Sequence, residues 1–187
     1  STPKEGAYQN MRLPSVTEVL RVFSDFSRIN PEVLEVAANR GQEVHAICSG
    51  IAKGLWVPDI PESCAGYVAS FRQWFEQHVA SVEFAEKELV DTTYGFQGHP
   101  DLLVTIKGDA GGMLLDLKTP RVPALTWRPQ VAAYVHLARL NGYHVIRGGC
   151  LRLSPEGGPP ILDEYTQTLN QDFNIFRCAL TLHQYFS

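Results

Sequence analysis

Gly98-His99-Pro100-Asp101-Leu102-Leu103-Val104-Thr105-Ile106-Lys107 runs through Gly108-Asp109-Ala110-Gly111-Gly112 into Met113-Leu114-Leu115-Asp116-Leu117-Lys118-Thr119. The apolar runs Leu102–Ile106 and Met113–Leu117 are short and branched enough to be strands. The glycine-rich segment between them suits a hairpin turn. Folded about Asp109, an antiparallel hairpin sets Asp101 opposite Asp116 or Lys118. Strand side chains alternate, so Asp116 and Lys118 share one face while Leu115 and Leu117 share the other. The open end of the hairpin therefore gathers two carboxylates and an amine, backed by an apolar face.

Two carboxylates at close range repel unless a proton or a cation sits between them. Hard oxygen ligands of this kind suit Mg2+ or Mn2+. Such an ion can hold a scissile phosphate, acidify a bound water and stabilise developing charge. Lys118 then stands where it can orient the attacking water or help it lose a proton. An Asp-x-Lys alone reads as an ion pair in an ordinary sheet; Asp101 at the facing position turns the pair into a site. The chemistry implied is metal-assisted cleavage of a phosphodiester.

Pro100-Asp101 followed by Asp116-Leu117-Lys118 resembles the signature of the PD-(D/E)XK nuclease superfamily. Gln130 and Tyr134 downstream, and His45 upstream within Arg40-Gly41-Gln42-Glu43-Val44-His45, resemble its RecB-like exonuclease branch, which includes stand-alone phage and prophage nucleases. The motifs span Leu13 to Leu153 in the expected order. The resemblance implies an α/β restriction-endonuclease-like core: a mixed central β-sheet flanked by helices, with an N-terminal helical portion. It implies a metal-dependent deoxyribonuclease, an exonuclease acting in DNA processing, recombination or repair, with DNA as partner, either single-stranded or at a duplex end. Metal ligands would be His45, Asp101, Asp116 and the backbone carbonyl of Leu117, with Lys118, Gln130 and Tyr134 completing the catalytic group. Glu88 resembles a strand glutamate that supports the family's site, and reads equally as an exposed edge-strand acid. Without the resemblance, His45 is a partly buried helix histidine and Gln130–Tyr134 an unremarkable pair one helical turn apart. A catalytically inactive nucleic-acid-binding or structural protein on the same scaffold is the alternative, and hydrolysis of another phosphodiester a third reading.

The 187 residues suffice for one domain with a sizeable core, and 44% hydrophobic with 19% charged residues is a globular composition. No apolar run approaches a membrane span and no signal-peptide pattern opens the chain, so no membrane association and a cytoplasmic location are expected. The 4 cysteines, Cys48, Cys64, Cys150 and Cys178, lack CxxC spacing and read as reduced thiols. The closely spaced downstream trio that holds an iron–sulfur cluster in some RecB-like relatives is missing, so no cluster is expected. The net charge of -4 gives no overall basic excess for a polyanion. Locally, Lys118, Arg121 and Arg128 surround the acids, the two arginines as phosphate contacts, with Arg40 and Lys53 near His45.

Within a single domain over 1–187, helices are expected over 14–80, the catalytic sheet and its helix over 82–168, and a last helix over 170–186. Ser15 or Thr17 caps a helix carrying Val19, Leu20, Val22 and Phe23. Pro31 opens a second helix that holds His45 on a small-residue stripe with Gly41, Cys48, Ser49 and Ala52. Ser63–Val79 forms an amphipathic helix, and Val82–Val90 a strand with Glu86 and Glu88 on one face. After Pro120 and Pro123 a helix beginning at Ala124 or Arg128 reaches Leu140. Its Trp127 reads as core, with base stacking as the alternative. Val145–Leu153 and Ile161–Leu169 are strands, and Asn170 caps the last helix.

Overall fold

The structure is a computed structural model that describes residues 12–57 and 59–187. Helix α1 (Val16–Leu20) tightens into a 3-10 turn (Arg21–Phe23) and is followed by α2 (Pro31–Ala52) and α3 (Glu62–His78). Strands β1 (Val79–Ala85), β2 (Leu89–Asp91), β3 (Phe96–Gly98), β4 (Leu102–Ile106) and β5 (Gly112–Lys118) come next. Helix α4 (Trp127–Leu140), strands β6 (Val145–Arg152) and β7 (Ile161–Glu164) and helix α5 (Leu169–Phe186) complete the order.

Local chemistry sets the helix starts. Ser15 and Glu18 close a reciprocal capping box at α1. Asn30 accepts the Glu32 amide ahead of Pro31 at the first position of α2, where a missing N–H costs nothing. The main sheet has the order β1-β4-β5-β6-β7. All neighbours are antiparallel except β5 and β6, which run parallel and are joined through α4. A parallel step needs such a crossover, and the helix must then lie on one face of the sheet. That face holds Leu103, Leu114 and Cys150 against α1, α4 and α5. The other face holds Leu102, Val104, Met113, Leu115 and Leu151 against α2 and α3. The expected mixed sheet flanked by helices, with an N-terminal helical portion, is the architecture found.

The hairpin pairs Leu102 with Leu115 and Thr105 with Gly112. Continued back by one residue, that register sets Asp101 level with Asp116, the first of the two alignments the sequence allows. The hairpin is apolar on both faces: Leu114, on the same side as Asp116, is fully buried beneath α4. The carboxylates therefore lie at the end of a covered layer.

Three sequence expectations need correction. Val82–Val90 is not one strand: β1 stops at Ala85, and Glu86 takes a φ of 49° while its N–H donates to the Asp101 carbonyl at 2.8 Å. Glu88, two residues on, consequently falls in the irregular stretch before β2, which pairs with β3 in a separate two-stranded ribbon. Strand β7 ends at Glu164 rather than Leu169, giving way to a 3-10 turn over Thr166–Thr168. Asn170 lies inside α5 rather than ahead of it, and Thr168 precedes the helix.

The ribbon is fastened to the helices by a buried carboxylate that the sequence reading did not single out. Asp91 accepts the Thr93 and Tyr94 amides at 2.8 and 2.9 Å and lies 2.7 Å from Nε2 of His136 on α4. The imidazole in turn stacks on Phe173 of α5, with ring centroids 4.2 Å apart. Burial opposes the charge of Asp91, but the His136 contact and the two amides hold its carboxyl below the ordinary 3.8. A depressed carboxyl contributes stability that is present above its unfolded value and lost as pH falls through the folded one. We expect Asp91→Ala to lose about 3 kcal/mol near neutral pH, through an orphaned turn and a broken buried pair. In urea unfolding, the gap between the wild type and this variant should narrow as pH drops below 3.8.

Candidate active site

Four elements meet at the open end of the hairpin. Asp101 precedes β4, Asp116 and Lys118 project from β5, His45 arrives from α2, and Gln130 and Tyr134 come from α4. Together with Ser15, Thr17, Gly98 and His99 they line one cavity of about 350 Å3. The structure thus brings together His45, Asp101, Asp116, Lys118, Gln130 and Tyr134.

The polar contacts fall into two groups, one around Asp101 and one around Lys118. Asp101 Oδ2 accepts the Leu117 N–H at 2.7 Å, and Oδ1 lies 3.2 Å from His45 Nδ1. In a strand the N–H and C=O of one residue leave from the same edge, so the Leu117 carbonyl projects from the edge that faces Asp101. Lys118 Nζ lies 2.5 Å from Asp116 Oδ2 and donates to Gln130 Oε1 at 2.7 Å. Gln130 Nε2 donates to the Tyr134 hydroxyl at 3.4 Å. The Lys118 ammonium also sits 5.3 Å from the centroid of the Trp127 ring, which is itself buried in the core.

Burial and opposite charges set the protonation states. For His45 burial disfavours charge, but Asp101 beside it prevails and lifts the imidazole to about 9. Burial would raise Asp101, yet the His45 charge and the Leu117 amide hold it below the ordinary carboxylate value. Asp116 is pushed up to about 6 by burial and by the negative charge of Asp101, against the pull of Lys118 and His45. Lys118 keeps its proton because Asp116 outweighs its burial. The Tyr134 hydroxyl is pushed up by burial and then by Asp116, which keeps it neutral.

The donor set can be weighed against a hard divalent cation. Asp116 Oδ2 is buried, and the group set against it is the Lys118 ammonium, 2.5 Å away. Two buried carboxylates and an imidazole at one hairpin end match the ligand chemistry of Mg2+ or Mn2+. Among the described residues, however, no three His, Cys, Asp or Glu side chains are arrayed to grip an ion. In this arrangement His45 and Lys118 supply the positive charge that the acids require.

Other expected residues lie elsewhere. The Glu88 side chain is 57% exposed and faces His99 at 3.4 Å, outside the cavity wall. Arg121 turns to Glu156, 2.5 Å away on the surface. Arg128 is tied to the buried Asp172 of α5 at 3.1 Å, so it joins two helices instead of facing the acids. The sequence reading passed over His99 and Thr17, both in the wall of the cavity. His99 had a signal, lying between the glycine and the Pro-Asp of the quoted stretch. Thr17 had none beyond its place in a helix cap.

No family model matches the chain, and no curated protein matches it in sequence. Among solved structures it is similar to an alkaline exonuclease (LHK-Exo) from Laribacter hongkongensis, with a TM-score of 0.40 and 15% identity over 92% of this chain and 89% of that one. It is also similar to SSO0001, with a TM-score of 0.29 and 16% identity over 49% of this chain and 46% of that one. The chain therefore spans less than half the length of SSO0001. Both similarities are distant.

Close packing behind the site depends on one glycine. A Cβ on Gly98 would stand 2.7 Å from Cε1 of Tyr134 and 2.9 Å from Cδ1 of Leu137, both on the buried side of α4. Both belong to buried side chains packed beneath α4, so a methyl here overpacks the core. We expect Gly98→Ala to lose about 1–3 kcal/mol in chemical denaturation and to displace the Tyr134 ring. An unchanged denaturation midpoint would show that the helix can retreat at no cost.

Proposed function

We propose that this protein is a divalent-metal-dependent DNA nuclease, an exonuclease that hydrolyses phosphodiester bonds in DNA processing, recombination or repair. One observation carries the reading: two buried carboxylates lie level across a hairpin end, between an imidazole and an ammonium. The resemblance of Asp101, Asp116, Lys118, Gln130 and Tyr134 to the PD-(D/E)XK pattern supports it. In this reading Asp101, Asp116, His45 and the Leu117 carbonyl hold the ion. When bound, the ion lowers the pKa of a water and neutralises charge on a phosphoryl oxygen.

The chain's own groups do the positioning. Lys118 Nζ is held from two sides, by Asp116 Oδ2 and Gln130 Oε1, and keeps a further N–H for the attacking water or a phosphate oxygen. Gln130 and Tyr134, anchored on the buried face of α4, fix where that ammonium points. His45 holds Asp101 from the α2 side while Leu117 holds it from the strand. The cavity is bordered by α1, α2 and α4, and the burial of Asp101 and Asp116 strengthens these charge interactions relative to water.

A second reading is a nuclease scaffold without catalysis, which binds nucleic acid or has a structural role. It is favoured by the way His45 and Lys118 already compensate both carboxylates. Two measurements separate the readings. With labelled DNA and Mg2+ or Mn2+, Asp116→Ala and Lys118→Ala should each lower cleavage by at least about a hundredfold. In calorimetric titration with Mn2+, Asp116→Ala should weaken binding, while Lys118→Ala should retain it. Equal cleavage in wild type and both variants would refute the nuclease reading, and a wild type that takes up no Mn2+ would favour the inactive scaffold.

A further inference from the structure

Next to the candidate active site lies a larger cavity of about 560 Å3, within the ~300–1,000 Å3 typical of small-molecule sites. The two cavities share Thr17, Lys118 and Gln130, so a ligand that extends beyond the acids past Lys118 can enter the second. One wall is the segment after α1, bearing Arg21, Phe23 and Phe26; opposite it stands the loop bearing Val122 and Leu125. These apolar side chains lie open: Phe23 is 56% exposed, Phe26 51%, Val122 76% and Leu125 93%. Contiguous apolar surface rimmed by polar groups marks a ligand groove rather than ordinary surface.

The wall is held in place. Val16 and Val19 of α1 are fully buried, and the Gln97 N–H donates to the Pro14 carbonyl at 3.0 Å. Charge in the cavity favours an anion. Arg21 has no ion-pair partner among the described residues, unlike Arg121 and Arg128. The one carboxylate in the wall, Asp25, is engaged by the Ser27 amide at 3.0 Å and the Ser27 hydroxyl at 2.6 Å.

An apolar slot with a cation at its edge, opening from a phosphodiester site, matches the alternation of base and phosphate in an unpaired strand. We propose that this cavity is a nucleoside subsite, which takes the base flanking the scissile phosphate against Phe23 and Phe26 while Arg21 meets the neighbouring phosphate. The substrate is accordingly a single strand of DNA, since a base inside a duplex has both faces stacked and its edge paired. The inference rests on the nuclease reading above.

The test is steady-state cleavage with Mn2+ of a labelled single-stranded oligonucleotide and of the blunt duplex of the same sequence. Arg21→Gln and the double variant Phe23→Ala with Phe26→Ala should each raise KM for the single strand about tenfold, the order that stacking a base on an aromatic ring provides. Arg28→Gln, an equal loss of charge in the same segment but outside the cavity, should leave KM unaltered. The salt dependence separates the two roles. Arg21→Gln should reduce the slope of log affinity against log salt by about 0.7, one phosphate contact on a single strand, while the phenylalanine pair leaves it unchanged. Because all three side chains are solvent-exposed, thermal unfolding should match the wild type. An active wild type whose KM is unmoved by these variants, or which cleaves only the duplex, overturns the subsite and leaves the nuclease reading intact. A wild type that cleaves neither substrate overturns both.

Discussion

Two carboxylates buried side by side cannot both remain ionised unless positive charge is set against them. Unit charges 4 Å apart interact by roughly 4 kcal/mol at the effective dielectric of a protein surface, and more where water is excluded. Asp101 and Asp116 are both buried, and the architecture answers the constraint from two directions. A long helix lays His45 against Asp101, and the strand that carries Asp116 brings Lys118 back onto it two residues later. The outcome is unequal: Asp101 is held ionised, whereas Asp116 is pushed towards about 6. Such divergence between neighbouring acids is a property of sites more often than of cores.

The unequal treatment follows from where β4 begins. Because the strand starts at Leu102, β5 runs on past it, and the Leu117 amide has no partner strand on that edge. The Asp101 carboxylate fills the place of a carbonyl there, which satisfies the amide and fixes the acid together. Asp116 enjoys no such donor. The parallel partner β6 occupies the other edge of β5 and requires the α4 crossover, which delivers Gln130 and Tyr134 to the same end. The contacts at the site thus arise from one strand offset and one parallel step in the sheet.

Much of this was legible in the sequence, for identifiable reasons. A glycine-rich turn of fixed length between two apolar runs leaves only two alignments, and either one brings Asp101 to the pair on β5. The spacing of Gln130 and Tyr134 needs only a helix to put both on one face. What could not be read depended on distant partners. Arg121 and Arg128 looked available beside the acids, but Glu156 and Asp172, 35 and 44 residues further on, hold them. The strand through Glu88 breaks because Glu86 adopts a positive φ, a conformation that local propensity disfavours and that an amide bond to the Asp101 carbonyl accompanies. Val22 and Phe23 matched the apolar stripe of an amphipathic helix. The tightening after Leu20 into a 3-10 turn rotates them outward instead, to 76% and 56% exposure.

That rotation bears on how a chain of net charge -4 could hold a polyanion. Most nucleic-acid surfaces rely on many unpaired cations, each releasing a counterion from the phosphate backbone. Here Arg121, Arg128, Arg147 and Arg152 are spent on Glu156, Asp172, Asp109 with Glu164, and Asp163. The cations left at the paired cavities are His45, Lys118 and Arg21, and the first two are already matched to Asp101 and Asp116. Few phosphate contacts give weak attraction with a shallow salt dependence, so another source of affinity is required for a polynucleotide. Open aromatic and aliphatic side chains beside the acids are such a source, because every base offers a π-face whatever its identity. In the proposed nuclease reading, an acidic chain engages DNA where bases are unstacked and has little hold on duplex backbone, which ties substrate form to surface composition rather than to net charge.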